Sequence, residues 1–165
     1  MSMPSNFRPV PEHCWSHLAH RVGVAETDMM GIVHHGSYVT LFERGRLEYM
    51  RDRGFPYRRV VDGGHHLPVV ELSVRYRTPS RMDDLLVIES RLGRLGRASL
   101  RFDYVIFRKN EETGTGSPVL EGSVSLACVD EEGRPRALPA DATEALLSAT
   151  GSPPLLASSP YRGER

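Results

Sequence analysis

Tyr38, Leu41, Phe42, Gly45 and Tyr49 recur at the spacing of one helical face, while Glu43, Arg44, Glu48, Arg51 and Asp52 fall mostly elsewhere. The pattern predicts an amphipathic helix over 38–53, stopped by Gly54 and by Pro56, which cannot continue it. A glycine inside a helix costs ~1 kcal/mol relative to alanine, so Gly45 makes sense where the helix presses closely on a sheet. Ahead of it, Leu18, His20, Val22 and Val24 share one parity and predict a short first strand over 17–24.

Beyond Asp62-Gly63-Gly64 the period changes to two. Val70, Leu72, Val74 and Tyr76 alternate with Glu71, Ser73, Arg75 and Arg77, the pattern of a half-buried antiparallel strand. Further strands are predicted over 85–92, 98–106 and 119–129, parted by Gly93-Arg94-Leu95-Gly96 and by the turn-rich stretch 110–118. Asp141-Ala142-Thr143-Glu144 has the spacing of a helix start, so a short helix over 142–149 follows. Strand, long helix, then consecutive strands predict an α+β fold, a curved antiparallel sheet wrapped around one long central helix. One helix cannot cover both faces of such a sheet, and dimerisation through edge strands or stacked sheets protects the remainder.

Composition narrows the function classes. The chain has 165 residues, 39% hydrophobic and 25% charged, which fits one globular domain. Pro4, Pro9 and Pro11 and the Ser- and Pro-rich end mark a flexible segment over 1–16, a domain over 17–149 and a flexible tail over 150–165. The 21 basic and 21 acidic residues cancel, so no basic face for nucleic acid is indicated. Cys14 and Cys128 form neither a metal pattern nor a disulfide framework, and Cys128 reads as a core residue. The first residues lack the apolar core of a signal peptide, and no apolar run is long enough to span a membrane. A cytoplasmic protein is the expectation.

The segment from Glu26 to Tyr38 carries the candidate chemistry: Glu26-Thr27-Asp28-Met29-Met30-Gly31-Ile32-Val33-His34-His35-Gly36-Ser37-Tyr38. It delivers an acid and two histidines to a helix start near Gly36, where backbone N–H groups lack intrahelical partners and the dipole is positive. On spacing alone Asp28 reads as a loop carboxylate that caps the helix or a turn. His35 reads as a polar loop residue or a catalytic one, and His34 as flanking. Zinc or iron on Glu26, Asp28, His34 and His35 is disfavoured, because adjacent histidines point apart and no His-x-x-x-His spacing exists. His65-His66 lies in a Gly-rich loop, a solvated connector or a lid.

Thr27-Asp28-x-x-Gly31-x-Val33-x-His35-x-x-Tyr38, followed by Phe42-Glu43-Arg44 and Glu48, resembles the hotdog-fold acyl-CoA thioesterases of the 4-hydroxybenzoyl-CoA thioesterase type, including the short-chain enzymes associated with the Tol–Pal system. The similarity continues through Val74-Arg75-Tyr76-x-x-Pro79, Asp83-Asp84 and Leu95-Gly96-Arg97-Ala98-Ser99, and covers roughly 19–139. The resemblance implies hydrolysis of an acyl-CoA to a free acid and coenzyme A, with no metal or redox cofactor and a homodimeric or homotetrameric assembly. It makes Asp28 the nucleophile or general base and His35 a catalytic residue whose backbone N–H polarises the thioester carbonyl. Gly31 would let the chain bend toward the ligand, Gly36 would start the oxyanion-binding helix, and Arg97 would meet phosphates of coenzyme A. Val24, Ser37 and Met29-Met30 depart from common family residues, and Met29 and Met30 are candidate contacts to the acyl group. A hydratase or dehydratase acting on an acyl thioester, or a non-catalytic acyl-CoA-binding module, are the competing expectations.

Overall fold

The computed structural model describes residues 7–12, 14–152 and 155. Five strands form one sheet: β1 (Ser16–Arg21), β2 (Val69–Tyr76), β3 (Leu85–Leu95), β4 (Ser99–Lys109) and β5 (Gly116–Ala127). Their spatial order is β1-β3-β4-β5-β2, and every neighbouring pair is antiparallel. The long helix α1 (Ser37–Asp52) lies across this sheet, with α2 (Tyr57–Asp62) after it and α3 (Ala140–Leu147) near the end. Among the described residues no helix is long and apolar enough to cross a membrane.

The apolar face of α1 is the one its periodicity predicts: Tyr38, Leu41, Phe42, Gly45, Tyr49 and Met50 are buried. Phe42 stacks on Tyr104 with centroids 4.3 Å apart, and Tyr49 meets Phe102 edge-on at 5.3 Å. Small residues make this approach possible. Ser90, Tyr104 and Gly122 form one row across β3, β4 and β5. Gly45 presses on Ser90 and Ile88, while a Cβ on Gly122 would stand 2.7 Å from the Phe42 ring. The glycine that weakens the helix locally is thus the residue that lets it reach the sheet.

The structure departs from expectation in four places. Val24–Glu26 is a short 3-10 turn rather than the end of β1, and Val24 is exposed. Helix α2 was not anticipated. β3 runs through Gly93 to Leu95 by a bulge between Leu92 and Arg94, and the turn comes only at Gly96. Gly93 serves contact here, since a Cβ would stand 2.7 Å from the Asp103 carboxyl carbon. Finally, β2 is an edge strand, so its alternation does not translate into burial: Val70 is 64% and Leu72 41% exposed.

Packing also reaches past the expected domain limits at 17 and 149. Trp15 is buried and its backbone pairs with Ser152 through bonds of 2.9 and 3.0 Å. Arg53 ties this end together by donating to Ser16 Oγ at 3.0 Å and the Cys14 carbonyl at 3.2 Å, with its guanidinium 3.3 Å above the Tyr49 ring. Burial holds the Arg53 guanidinium below its usual range and pushes the Tyr49 phenol up to about 12. The Tyr49 hydroxyl, kept neutral, donates to the Leu146 carbonyl at 3.1 Å and anchors α3. Of the segments expected to be flexible, 1–16 and 150–165, residues 1–6, 13, 153–154 and 156–165 lie outside the described residues.

Candidate active site

Asp28 is placed by a compact turn between β1 and α1. Thr27 bridges to Val33, the Asp28 N–H donates to the Ile32 carbonyl at 2.8 Å, and the Gly31 N–H returns to the Asp28 carbonyl at 3.0 Å. Gly31 has φ of 71°, a left-handed conformation that glycine adopts without strain. Within the turn, Met30 N–H donates to Asp28 Oδ1 at 2.8 Å. One carboxylate oxygen is therefore fixed, and Oδ2 has no partner among the described residues.

The chain then comes back past Glu26, whose carbonyl accepts from the His34 N–H at 2.8 Å and from Ser37 Oγ at 3.2 Å. This return brings His35 to the start of α1. The helix opens with Gly36 as N-cap and no side-chain cap. The donors are not equivalent. Gly36 N–H is taken by His34 Nδ1 at 3.1 Å, so Gly36 starts the helix without an open N–H of its own. The His35 N–H has no acceptor among the described residues.

Asp28, Met30, Ile32, Val33, His35 and Tyr38 line an open cavity of about 380 Å³, closed on its far side by Tyr76, Arg77, Thr78 and Pro79 from the end of β2. The cavity is mainly apolar, with a carboxylate-bearing residue and the start of α1 in its lining, the composition and size usual for small-molecule pockets. Tyr76 donates to the His35 carbonyl at 3.1 Å and its ring lies 5.9 Å from that of Tyr38. Burial pushes the Tyr38 phenol above its ordinary value, with Ser80 beside it opposing more weakly, so the cavity wall carries a neutral hydroxyl. Arg77 is paired with Glu121 at 2.6 Å, and Arg81 reaches the Gly31 carbonyl at 3.5 Å.

Two expected contacts fall elsewhere. Met29 is fully exposed and does not line the cavity, whereas Met30 borders it. Arg97 is exposed in the turn after β3, and the Asp28 loop packs beside Ser80 and Arg81 ahead of β3. The eleven residues of β3 separate them, and at ~3.3 Å per residue that is roughly 35 Å along the sheet. Within one chain Arg97 and Asp28 do not share a site. Glu26, Asp28, His34 and His35 do not gather as metal ligands, and no group of three metal-binding side chains occurs among the described residues. Tyr76, Arg77, Thr78 and Pro79 join the cavity wall without any chemical signal in the sequence beyond the Tyr76-x-x-Pro79 pattern.

An antiparallel sheet folded over one long helix, with one cavity at the start of that helix, is the architecture of the hotdog fold. Comparison with known proteins agrees. Residues 30–115 match the Thioesterase superfamily. The chain is 32% identical over 120 residues to the acyl-CoA thioester hydrolase YbgC of Escherichia coli, covering 72% of this chain and 86% of that one. Among solved structures, a DHNA-CoA thioesterase from Staphylococcus aureus is 29% identical with a TM-score of 0.74, over 80% of this chain and 88% of that one. The 4-hydroxybenzoyl CoA thioesterase of Pseudomonas sp. strain CBS-3, at 23% identity and a TM-score of 0.72 over 80% and 99%, shares the fold. The chain belongs to the thioesterase superfamily and is a thioester hydrolase.

Proposed function

We propose that this enzyme hydrolyses an acyl-CoA to a carboxylic acid and coenzyme A, with Asp28 as nucleophile or general base. The observation that carries this reading is the pairing, in one cavity, of Asp28 with its free Oδ2 and the unoccupied N–H of His35. Asp28 attacks the thioester carbonyl carbon directly or takes a proton from the water that does. Charge that develops on the carbonyl oxygen is met by the His35 N–H and the positive end of α1. The carbon–sulfur bond then breaks, and the sulfur leaves as a thiolate, a good leaving group because thiols ionise near pH ~8.5. In the direct route the acyl group is left on Asp28 as an anhydride, which water hydrolyses to free the acid and restore the carboxylate; in either route the acid's new oxygen comes from water, and no metal or redox cofactor takes part. Release of free thiol, followed with a chromogenic thiol reagent, separates this reaction from hydration or dehydration of the acyl chain.

If the backbone N–H is what His35 contributes, its imidazole is dispensable. His35→Ala is expected to keep kcat within roughly tenfold of wild type, against the roughly 10²–10³-fold cost of losing an oxyanion donor. A loss of the larger size would assign the ring itself a chemical role.

The same reading includes a homodimer, or a tetramer built from dimers. β2 leaves an edge with Val69, Val70, Leu72 and Tyr76 exposed, and an apolar edge of this length calls for a second copy. Two β2 strands paired antiparallel about a two-fold axis reverse one protomer's sheet relative to the other. The partner's Arg97 turn then falls at the same end of the joined sheet as Asp28, which returns Arg97 to the nucleotide end of the substrate, supplied in trans. Leu72→Lys is expected to shift the protein to monomer in sedimentation velocity and to cost most of the activity. An unchanged sedimentation coefficient would reject β2 as the interface.

A further inference from the structure

His20, Glu26 and Arg44 form a hydrogen-bonded chain beside the cavity, outside the groups assigned above. Arg44 Nη1 donates to His20 Nδ1 at 2.9 Å. A guanidinium can only donate, so Nδ1 carries the lone pair and the ring hydrogen is on Nε2. That hydrogen faces both carboxylate oxygens of Glu26, at 2.8 and 2.9 Å, and Glu26 Oε2 also accepts from the Gly23 N–H at 2.7 Å. The His20 and Glu26 side chains are only 14% and 26% exposed, so water competes weakly for these bonds.

Glu26 is anchored at both ends. Its side chain is held to β1 by His20, and through His20 to α1 by Arg44. Its carbonyl holds the His34 N–H at 2.8 Å and Ser37 Oγ at 3.2 Å. Asp28 lies two residues after Glu26, and the His35 N–H one residue after His34. The Glu26–His34 bond therefore joins the Thr27–Val33 bridge and the Asp28–Ile32 bond in setting the separation of the reacting carboxylate from the oxyanion donor, and a shift of Glu26 moves one relative to the other.

We propose that His20 and Glu26, clamped by Arg44, are positioning residues that hold Asp28 at working distance from the His35 N–H through a single His20 tautomer. This rests on the acyl-CoA hydrolase reading above. Misplacement of reacting groups by about 1 Å costs up to ~10² in rate with little effect on ground-state binding, so the signature is in kcat rather than KM.

Two measurements test it on the full-length protein. In long-range ¹⁵N–¹H NMR of the wild type, His20 is expected to show a bare Nδ1 and a protonated Nε2; the opposite tautomer overturns the proposal. In steady-state assays with acyl-CoA, His20→Ala and Glu26→Ala are each expected to lower kcat about tenfold or more with KM within about twofold. The double variant should be no slower than the worse single one, because both break one chain. His20→Gln, whose amide offers an acceptor to Arg44 and a donor to Glu26, should recover kcat to within about threefold. Unchanged kcat in folded His20→Ala, additive losses, or no recovery in His20→Gln would overturn it. Should the wild type release no thiol from any acyl-CoA, the hydrolase reading fails, while the tautomer still decides whether the chain of bonds exists.

Discussion

Asp28→Asn is expected to reduce thioester hydrolysis by about 10³-fold or more, with the fold and the oligomer unchanged. The amide cannot act as an anionic nucleophile or take a proton from water, and removal of a positioned base typically forfeits ~10²–10⁴ in rate. Its side-chain oxygen can still accept the Met30 N–H that Asp28 Oδ1 accepts now, so the turn keeps its internal bond. Thermal unfolding is expected to shift by no more than the ~0.5 kcal/mol typical of a surface change. Thiol release from a panel of short-chain, long-chain and aromatic acyl-CoAs, run beside a melting curve, gives both readouts. A variant that turns over at near wild-type rate would remove Asp28 from the mechanism.

Gly45→Val carries the largest expected effect on stability. A Cβ at this position stands 2.9 Å from Ile88 Cγ2 and closer still to the Ser90 hydroxyl, so α1 must lift away from β3. Overpacking of this kind costs about 3 kcal/mol, which for a chain of this length lowers Tm by roughly 6–12 °C. Activity should fall too, because His35 directly precedes Gly36, the N-cap of the lifted helix. A Tm within about 2 °C of wild type would mean that the helix–sheet contact at Gly45 is looser than its geometry indicates.

Gly45 also shows why much of this fold is legible from sequence. A glycine among Tyr38, Leu41, Phe42 and Tyr49 makes little sense in an isolated helix, and its reason is a tertiary contact whose partner strand is also readable from its pattern. What escaped reading was what depends on neighbours remote in the chain. α2 has six residues, too few for a periodicity to declare itself. Gly93 reads as a turn because its purpose, space for the Asp103 carboxylate, lies on another strand. β2 alternates like a half-buried strand, yet its edge position leaves both faces exposed.

The site divides in the same way. Asp28, Gly31 and His35 lie in one continuous segment, where local turn chemistry and the family pattern both point to them. The opposite wall, Tyr76 to Pro79, is brought in by the sheet and carries no local sign of chemistry. His34, read as flanking, has a part that no pattern announces: its imidazole captures the Gly36 N–H, while the His35 N–H has no acceptor among the described residues.

The place of β2 at the sheet's edge governs the order in which the catalytic cavity comes into being. β2 is synthesised directly after α1 and α2, but its partner within the chain is β5, the last strand made. Until β5 has left the ribosome, Val69, Val70, Leu72 and Tyr76 have no strand beside them, so the wall of the cavity waits for the final stretch of synthesis. The nascent chain thus carries an apolar strand without its partner from the completion of β2 at Tyr76 to that of β5 at Ala127, the state in which aggregation competes with folding. Chaperone demand and inclusion-body formation should therefore respond to substitutions in β2 more sharply than the stability of the finished protein does.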